Sequence, residues 1–504
     1  MPRWRVGSLA DPPTFTMRNW FALLGPGLLA GGSAIGGGEW LMGPQITAKY
    51  GGAMMWLATL SILGQVVYNI EISRYTLYCG EPVFTGKFRT LPGPRIWLPV
   101  YVLLDFGAFF PYLAANAATP VAAIWLGHIP TPEHHALLRG LGIAIFLLAM
   151  LPLLVGGKIY NSLKLLMTFK VVVVLGFLFV LAIFHSHFST WMGIISGFFE
   201  FGNYPTEGGN IENAFAALWH GRGLPAVDMS AIAKLTAFAA IAGMGGLTNT
   251  PISNYTRDQG WGMGKSVGAI PSMFGGHRIE LSHVGMVFPV DAQTLPKWRR
   301  WVRHVARDQL AVWMPACFLG LALPSMLSIE FLPRGAQGDS WTVAGMTAGG
   351  VESHVALAWG ATLGRTCWYL TLGCGFLVLA TSMSTYADGF IRRWVDVAWT
   401  SSARLHKWEP KRIRTLYFNV LLAYIVFGVS MLFVHNPQVL INIATTIANF
   451  ALGFSCWHTL ALNVILLPRE LRPAWPIRIA LALAGVFFFL LGTAALSTYL
   501  NPPA

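Results

Sequence analysis

Long apolar runs alternate along this chain with shorter stretches rich in charge, glycine and proline. A helix that crosses a bilayer takes about 20 predominantly apolar residues. By that measure eleven segments qualify: 19–46, 52–79, 96–127, 138–156, 160–186, 230–254, 308–330, 354–387, 414–435, 437–467 and 475–498. The stretches 187–229, 255–307, 331–353 and 388–413 are too polar to span. The pattern predicts an all-α integral membrane protein whose backbone polar groups are satisfied inside helices.

Two of the eleven segments work against their own apolarity. The first carries Gly31, Gly32, Gly36, Gly37 and Gly38, with Glu39 directly after them. Each glycine costs about 1 kcal/mol of helix propensity relative to alanine. A carboxylate at membrane depth costs at least about 2.5 kcal/mol. Irregular backbone is tolerated there only where it is buried in protein or lines a watery cavity. The sixth segment reads Gly243-Met244-Gly245-Gly246-Leu247-Thr248-Asn249-Thr250-Pro251-Ile252-Ser253-Asn254. Both read as broken helices. Interruptions at the first and sixth places are what a 5+5 inverted repeat predicts, and secondary transporters build their substrate sites at such breaks. The chain then divides into a 1–18 N-terminal segment, a first five-helix repeat over 19–186 and an extracellular loop over 187–229. A second repeat follows over 230–467, with cytoplasmic loops 255–307 and 388–413, and 468–504 adds a C-terminal helix.

Charge supplies the orientation. With the eleven spans alternating, 26 of the 34 lysines and arginines fall on the N-terminal side, three of them (Lys164, Arg414 and Arg478) in the ends of spans that face it. Four (Lys49, Arg139, Arg222 and Arg334) fall on the other side, and Arg74, Lys170, Lys234 and Arg365 lie within spans. The positive-inside rule puts the N-terminus in the cytoplasm. An anionic leaflet accounts for the net charge of +13, so the lipid bilayer is the expected partner and nucleic acid is not. Only 11% of residues are charged, against about 25% in soluble domains. The N-terminus has no basic-apolar-small cleavage pattern, so a multi-pass protein of a bacterial-type inner membrane is expected.

Motifs for other chemistry are weak. Cys79, Cys317, Cys367, Cys374 and Cys456 form no CxxC pair and suggest neither a disulfide framework nor zinc. In Gly260-Trp261-Gly262-Met263-Gly264-Lys265-Ser266 only three residues separate the outer glycines, where a phosphate loop needs four. The spans hold no HExxH, no GxSxG and no clustered His-Asp set, so no enzyme and no cofactor is expected. The pairs His134-His135 and His185/His187 lack the spacing that places two ligands on one helix face.

Several short motifs carry a family resemblance. They are Gly25-Pro26-Gly27 with Gln45 and Tyr50-Gly51 in the first span, Arg74 and Gly80 at the end of the second, Ser384-Thr385 in the eighth and Asn436-Pro437-Gln438-Val439-Leu440 at the start of the tenth. In these the chain resembles a divergent member of the Nramp (natural resistance-associated macrophage protein) divalent-metal transporter family. The resemblance implies the leucine-transporter fold and uptake of a divalent cation. It also marks departures. Where the family has Asp-Pro-Gly-Asn, this chain has Gly36-Gly37-Gly38-Glu39, and the family's Met-Pro-His-Asn falls on Leu247-Thr248-Asn249-Thr250. The metal-binding Asp and the thioether are thus replaced, and Asp105 is the only acid left in the third span.

The expected substrate site therefore comprises Gly36, Glu39, Gln45, Leu247, Thr248, Asn249, Thr250 and Asn254, with Glu39 as the candidate metal ligand. Asp105, Arg74, Asp388 and Arg392 are candidates for coupling or gating, and Glu71 with Arg74, three residues apart, for an ion pair. An all-oxygen set with one carboxylate suits a hard ion such as Mg2+ rather than a softer transition metal. The rival on the same fold is an organic-solute carrier for an amino acid or amine. A membrane enzyme and a channel are weaker alternatives. Transport by a single chain, as a monomer, is expected.

Overall fold

The computed structural model describes residues 1–16, 24–155, 157–207, 209–274, 279–336, 338–434 and 437–500, without the side chains of 437–443 and 499. The start of the first span at 19–23, and the motif Asn436–Leu440 apart from its backbone from Pro437 on, lie outside the described residues.

The helices follow the expected order. Among the described residues seven are individually long and apolar enough to cross a membrane: Pro132–Leu154, Ile159–His185, Thr294–Phe331, Ala361–Ser401, Pro410–Val434, Ala444–Leu466 and Trp475–Thr498. The second span, Trp56–Cys79, meets the preceding Gly38–Met54 at 94° and passes the same length and hydropathy test together with it. The first, third and sixth spans are built from shorter pieces. The first runs as Pro26–Ala34, leaves the helix at Ile35, and resumes as a π turn over Gly38–Met42 and a helix over Gly43–Tyr50. The third is Pro94–Leu104 and Tyr112–Leu126, with Asp105 in the gap. The sixth is Met229–Ile241 and Pro251–Asp258.

Gly31 and Gly32 do not belong to the first break. They lie inside the Pro26–Ala34 helix and let it pack closely on its neighbours. A Cβ on Gly32 would stand 2.7 Å from Met167 Cβ of the fifth span, and one on Gly31 3.0 Å from Ala316 Cβ of the seventh. Between helices in lipid, close packing of small residues replaces the hydrophobic effect as the source of association.

Two elements differ from the pattern-based expectation. The segment 331–353 contains the start of a helix, Ser340–Trp359, whose N-terminus is capped by the Asp339 side chain accepting from Thr342 N–H. That helix folds back on the eighth span, where Arg365 pairs with Glu352 at 3.3 Å and stacks over Trp368. The eighth span itself runs on from Ala361 to Ser401, so Asp388, Arg392, Arg393 and Asp396 lie within a continuous helix. All four are buried. The polarity of 388–413 places them beyond the span in sequence, because their partners Arg257, Asp258 and Asp105 sit on other spans.

The N-terminal segment joins the face that carries 255–307: Arg5–Val6 pairs in parallel with Met286–Val287, and Trp4 Nε1 donates to Glu81. On the opposite face Asn203–Pro205 and Ile211–Asn213 form an antiparallel hairpin.

Candidate functional site

Each break leaves backbone groups without helical partners, and a group buried unpaired at that depth is costly. At the first break Glu39 turns back so that Oε2 accepts from Gly36 N–H at 3.0 Å, while Oε1 accepts from Gly243 N–H of the sixth break, also at 3.0 Å. The carboxylate is 1% exposed and bridges the two interruptions. The close approach needs glycine: a Cβ on Gly38 would stand 2.5 Å from the Ile241 carbonyl oxygen. On the other side of the same turn Lys170, from the fifth span, donates to the carbonyl of Ile35 at 2.9 Å and to Ser382 Oγ at 2.6 Å.

The sixth break takes the left-handed conformation at Gly243, Gly245 and Gly246, with φ of 91°, 66° and 57°. It is held by the second span. Gln65 Oε1 accepts from Met244 N–H at 3.0 Å, from Gly245 N–H at 3.2 Å and from Asn249 Nδ2 at 3.1 Å. Its Nε2 donates to the Ala242 carbonyl at 2.8 Å. Ser61 donates to Ala239 O at 2.7 Å, and Asn69 accepts from Asn249 at 2.8 Å. Ser61, Gln65, Asn69 and Ser73 recur every four residues, which places them along one helix face. That spacing is the sequence signal of a polar seam. It is easily missed because each residue alone is tolerable in a membrane helix.

Between the breaks lies a cavity of ≈ 40 Å³ that reaches Gly36, Glu39, Tyr112, Met244, Thr248, Tyr255 and Tyr386. A water needs roughly 10–15 Å³ of such volume, so the space suits a water or two, or a small ion. Of the expected site residues, Gly36, Glu39 and Thr248 line it. Leu247 faces an adjoining small cavity with Asp105 and Tyr386. Gln45 lies further out and donates to Gly338 O at 2.9 Å. Asn249, Thr250 and Asn254 are fully buried behind the break: Asn249 on the second span, Thr250 donating to Leu247 O at 2.7 Å, and Asn254 donating to Asp396. Among the described residues Glu39 is the one carboxylate on the central cavity, and each of its oxygens keeps a lone pair beyond the one engaged by an amide. Among the described residues no three His, Cys, Asp or Glu side chains converge.

A larger cavity of ≈ 810 Å³ opens on the face away from the N-terminus, lined by Gln45, Lys49, Lys234, Asp339 and Asn449 among others. Toward the N-terminal face the way is filled by a buried ionic network. Arg257 donates to Asp396 at 2.7 Å and to Asp258 at 2.9 Å. Arg392 donates to Asp258 at 2.5 Å and to Asp388 at 2.9 Å, and Tyr417 of the ninth span donates to Asp388 at 2.6 Å. Arg393 reaches Asp105 at 2.8 Å and the Leu247 carbonyl at 3.0 Å. The third, sixth, eighth and ninth spans are thereby tied together. Asp105, Asp388 and Arg392 belong to this seal. Arg74 does not: it donates to Glu71 at 2.9 Å, as their spacing suggested, and Glu71 in turn accepts from Asn463 of the tenth span.

No protein-family model matches the chain, and no curated protein sequence does. Solved structures do. The manganese transporter of Eremococcus coleocola in complex with an aromatic bis-isothiourea substituted compound superposes with a TM-score of 0.63 at 14% identity, covering 98% of this chain and 91% of that one. Two mutants of the same transporter give TM-scores of 0.61 and 0.60 at 13% and 14% identity, with the same coverage. The fold is therefore the leucine-transporter type with a 5+5 repeat, and the resemblance to Nramp proteins seen in the short motifs holds at the level of architecture over nearly the whole chain.

Proposed function

We propose that this chain is a secondary transporter that moves a small hard divalent cation such as Mg2+ through the space between the two breaks. One observation carries the reading: among the described residues, the cavity where the breaks meet contains a single carboxylate, Glu39. The fold shared with a manganese transporter supports a metal cargo. The Glu39 carboxylate and the hydroxyls of Ser33, Thr248 and Thr385 outnumber the single thioether, Met244, on this cavity, which favours a hard ion that keeps part of its water shell. The wide cavity and the ionic seal on opposite sides of Glu39 correspond to one arm of alternating access: open away from the N-terminus, shut toward it. With the basic face in the cytoplasm of a bacterial-type cell, that is an outward-open carrier working as a single chain. A transporter reading leaves no catalytic role to assign.

A second reading, an organic-solute carrier, draws on Tyr112, Tyr255, Tyr386 and Met244 around the cavity and on Lys49 and Lys234 in the outer one. Aromatic walls and ammonium groups suit a solute with a carboxylate better than a bare cation. Uptake into proteoliposomes, run in parallel for Mg2+, Mn2+ and a panel of amino acids, separates the two. The cation reading expects Mg2+ accumulation that Glu39→Gln abolishes. Amino-acid accumulation without Mg2+ uptake overturns it.

A further inference from the structure

Lys170 is fully buried, and among the described residues no carboxylate lies within the 4.0 Å of an ion pair from it. Its ammonium is held by oxygen dipoles instead: Ile35 O at 2.9 Å, Val378 O at 3.3 Å and Ser382 Oγ at 2.6 Å. Ser382 Oγ also stands 3.1 Å from Ser33 O and 3.3 Å from Ile35 O. The set thus joins the C-terminal end of the first half-helix to the eighth span. Ile35 is the C-cap of the Pro26–Ala34 helix, so its carbonyl has no partner further along that helix and sits at the negative end of the helix dipole. Carbonyls of an unwound segment at such an end, with a hydroxyl beside them, are the donor set that binds a monovalent coupling ion in carriers of this architecture.

We propose that these oxygens form an alkali-cation site whose cation is supplied by the chain itself: the Lys170 ammonium stands where a coupling ion would bind and pins the first break to the eighth span. The wild-type protein then needs no Na+ to hold this arrangement, and loss of the amine creates a Na+ requirement. The inference does not depend on the identity of the cargo.

The test is thermal unfolding of the purified full-length chain in NaCl, KCl or N-methylglucamine chloride at equal high concentration, with no substrate present. Wild type is expected to melt at the same temperature in all three. Lys170→Ala, which empties the cage, is expected to melt about 5 °C higher in NaCl than in N-methylglucamine chloride, because an ion bound only to the folded state stabilises it. Adding Ser382→Ala to Lys170→Ala should erase that difference. Lys170→Met, whose long apolar stem fills the space, should show none. Equal melting of Lys170→Ala in all three salts would overturn the proposal. So would its failure to fold in any of them, an equal Na+ response from Lys170→Met, or a Na+ response from wild type. The readout uses no transport, so a wrong cargo assignment leaves it intact.

Discussion

Lys170 and Glu39 grip opposite ends of one peptide group. The carbonyl of Ile35 accepts from the lysine at 2.9 Å, and the N–H of Gly36, on the far side of the same peptide bond, donates to the glutamate at 3.0 Å. A peptide unit that has left its helix is thereby satisfied at both poles by side chains of opposite charge. The same carboxylate reaches Gly243, so the two breaks share one anchor.

That dual role sets the expected outcome at Glu39. Glu39→Gln keeps the shape but offers one acceptor where two amides now donate. Hydrogen bonds to charged groups contribute about 1.5–3 kcal/mol, so a lower melting temperature should accompany the loss of cation uptake. Glu39→Asp, one methylene shorter, should keep the charge but miss Gly243, giving weaker uptake at higher substrate concentration. Wild-type uptake by a folded Glu39→Gln protein would remove Glu39 from the transport path.

Gln65 should prove structural. Gln65→Leu leaves the N–H groups of Met244 and Gly245 and the amide of Asn249 without their acceptor. At about 1–3 kcal/mol for each stranded donor, the variant should unfold well below wild type or fail to accumulate. Gln65→Glu preserves the acceptor and should be milder. Thermal melting of the two variants side by side checks this.

Gly38→Ala should be more harmful than an alanine usually is in a helix. Its Cβ would press on the Ile241 carbonyl oxygen at 2.5 Å, and that atom is backbone and cannot swing aside. The expected result is folded protein with the breaks pushed apart and uptake reduced at least tenfold. Unchanged uptake would show that the two interruptions do not need to touch.

The ionic seal can be opened from one side. Removing one partner of a buried pair costs about 3–5 kcal/mol because the other charge is left uncompensated. Asp105→Asn strands Arg393 in this way, and Asp105→Asn with Arg393→Met should recover much of the loss. In a cysteine-free background, a cysteine at Thr385 should become accessible to an impermeant thiol reagent from the basic face once Arg392→Gln loosens the network. Protection that stays complete would place the seal elsewhere. Because Asp105 is already engaged by Arg393 and Trp394, substrate uptake should not acidify the vesicle lumen, as read by an internal pH dye.

Much of this was legible in the order of residues. Glycine, proline and a carboxylate are expensive in a lipid-facing helix, so their clustering at 36–39 and 243–254 marks where the chain leaves the helix. What lay hidden were partnerships. Glu39 binds backbone amides, which no side-chain motif encodes. Arg392 and Asp396 are matched by Asp258 and Arg257 about 130–140 residues earlier, a pairing that no local spacing announces. Gly31 and Gly32 belonged to packing although they stood beside a break. Asn249 and Asn254 looked like ligands because amides at a break often are, yet the second and eighth spans already use them.

The paired grip on the Ile35–Gly36 peptide also bears on how the protein senses membrane voltage. An electric field does about 2.3 kcal/mol of work per elementary charge per 100 mV. If Glu39 of the first span and Lys170 of the fifth move with the peptide they both hold, no net formal charge crosses the field, which then has little hold on the empty carrier. Any voltage dependence of uptake in vesicles clamped with a K+ diffusion potential would then count the charge of the cargo alone: two for a divalent ion, none for a zwitterion.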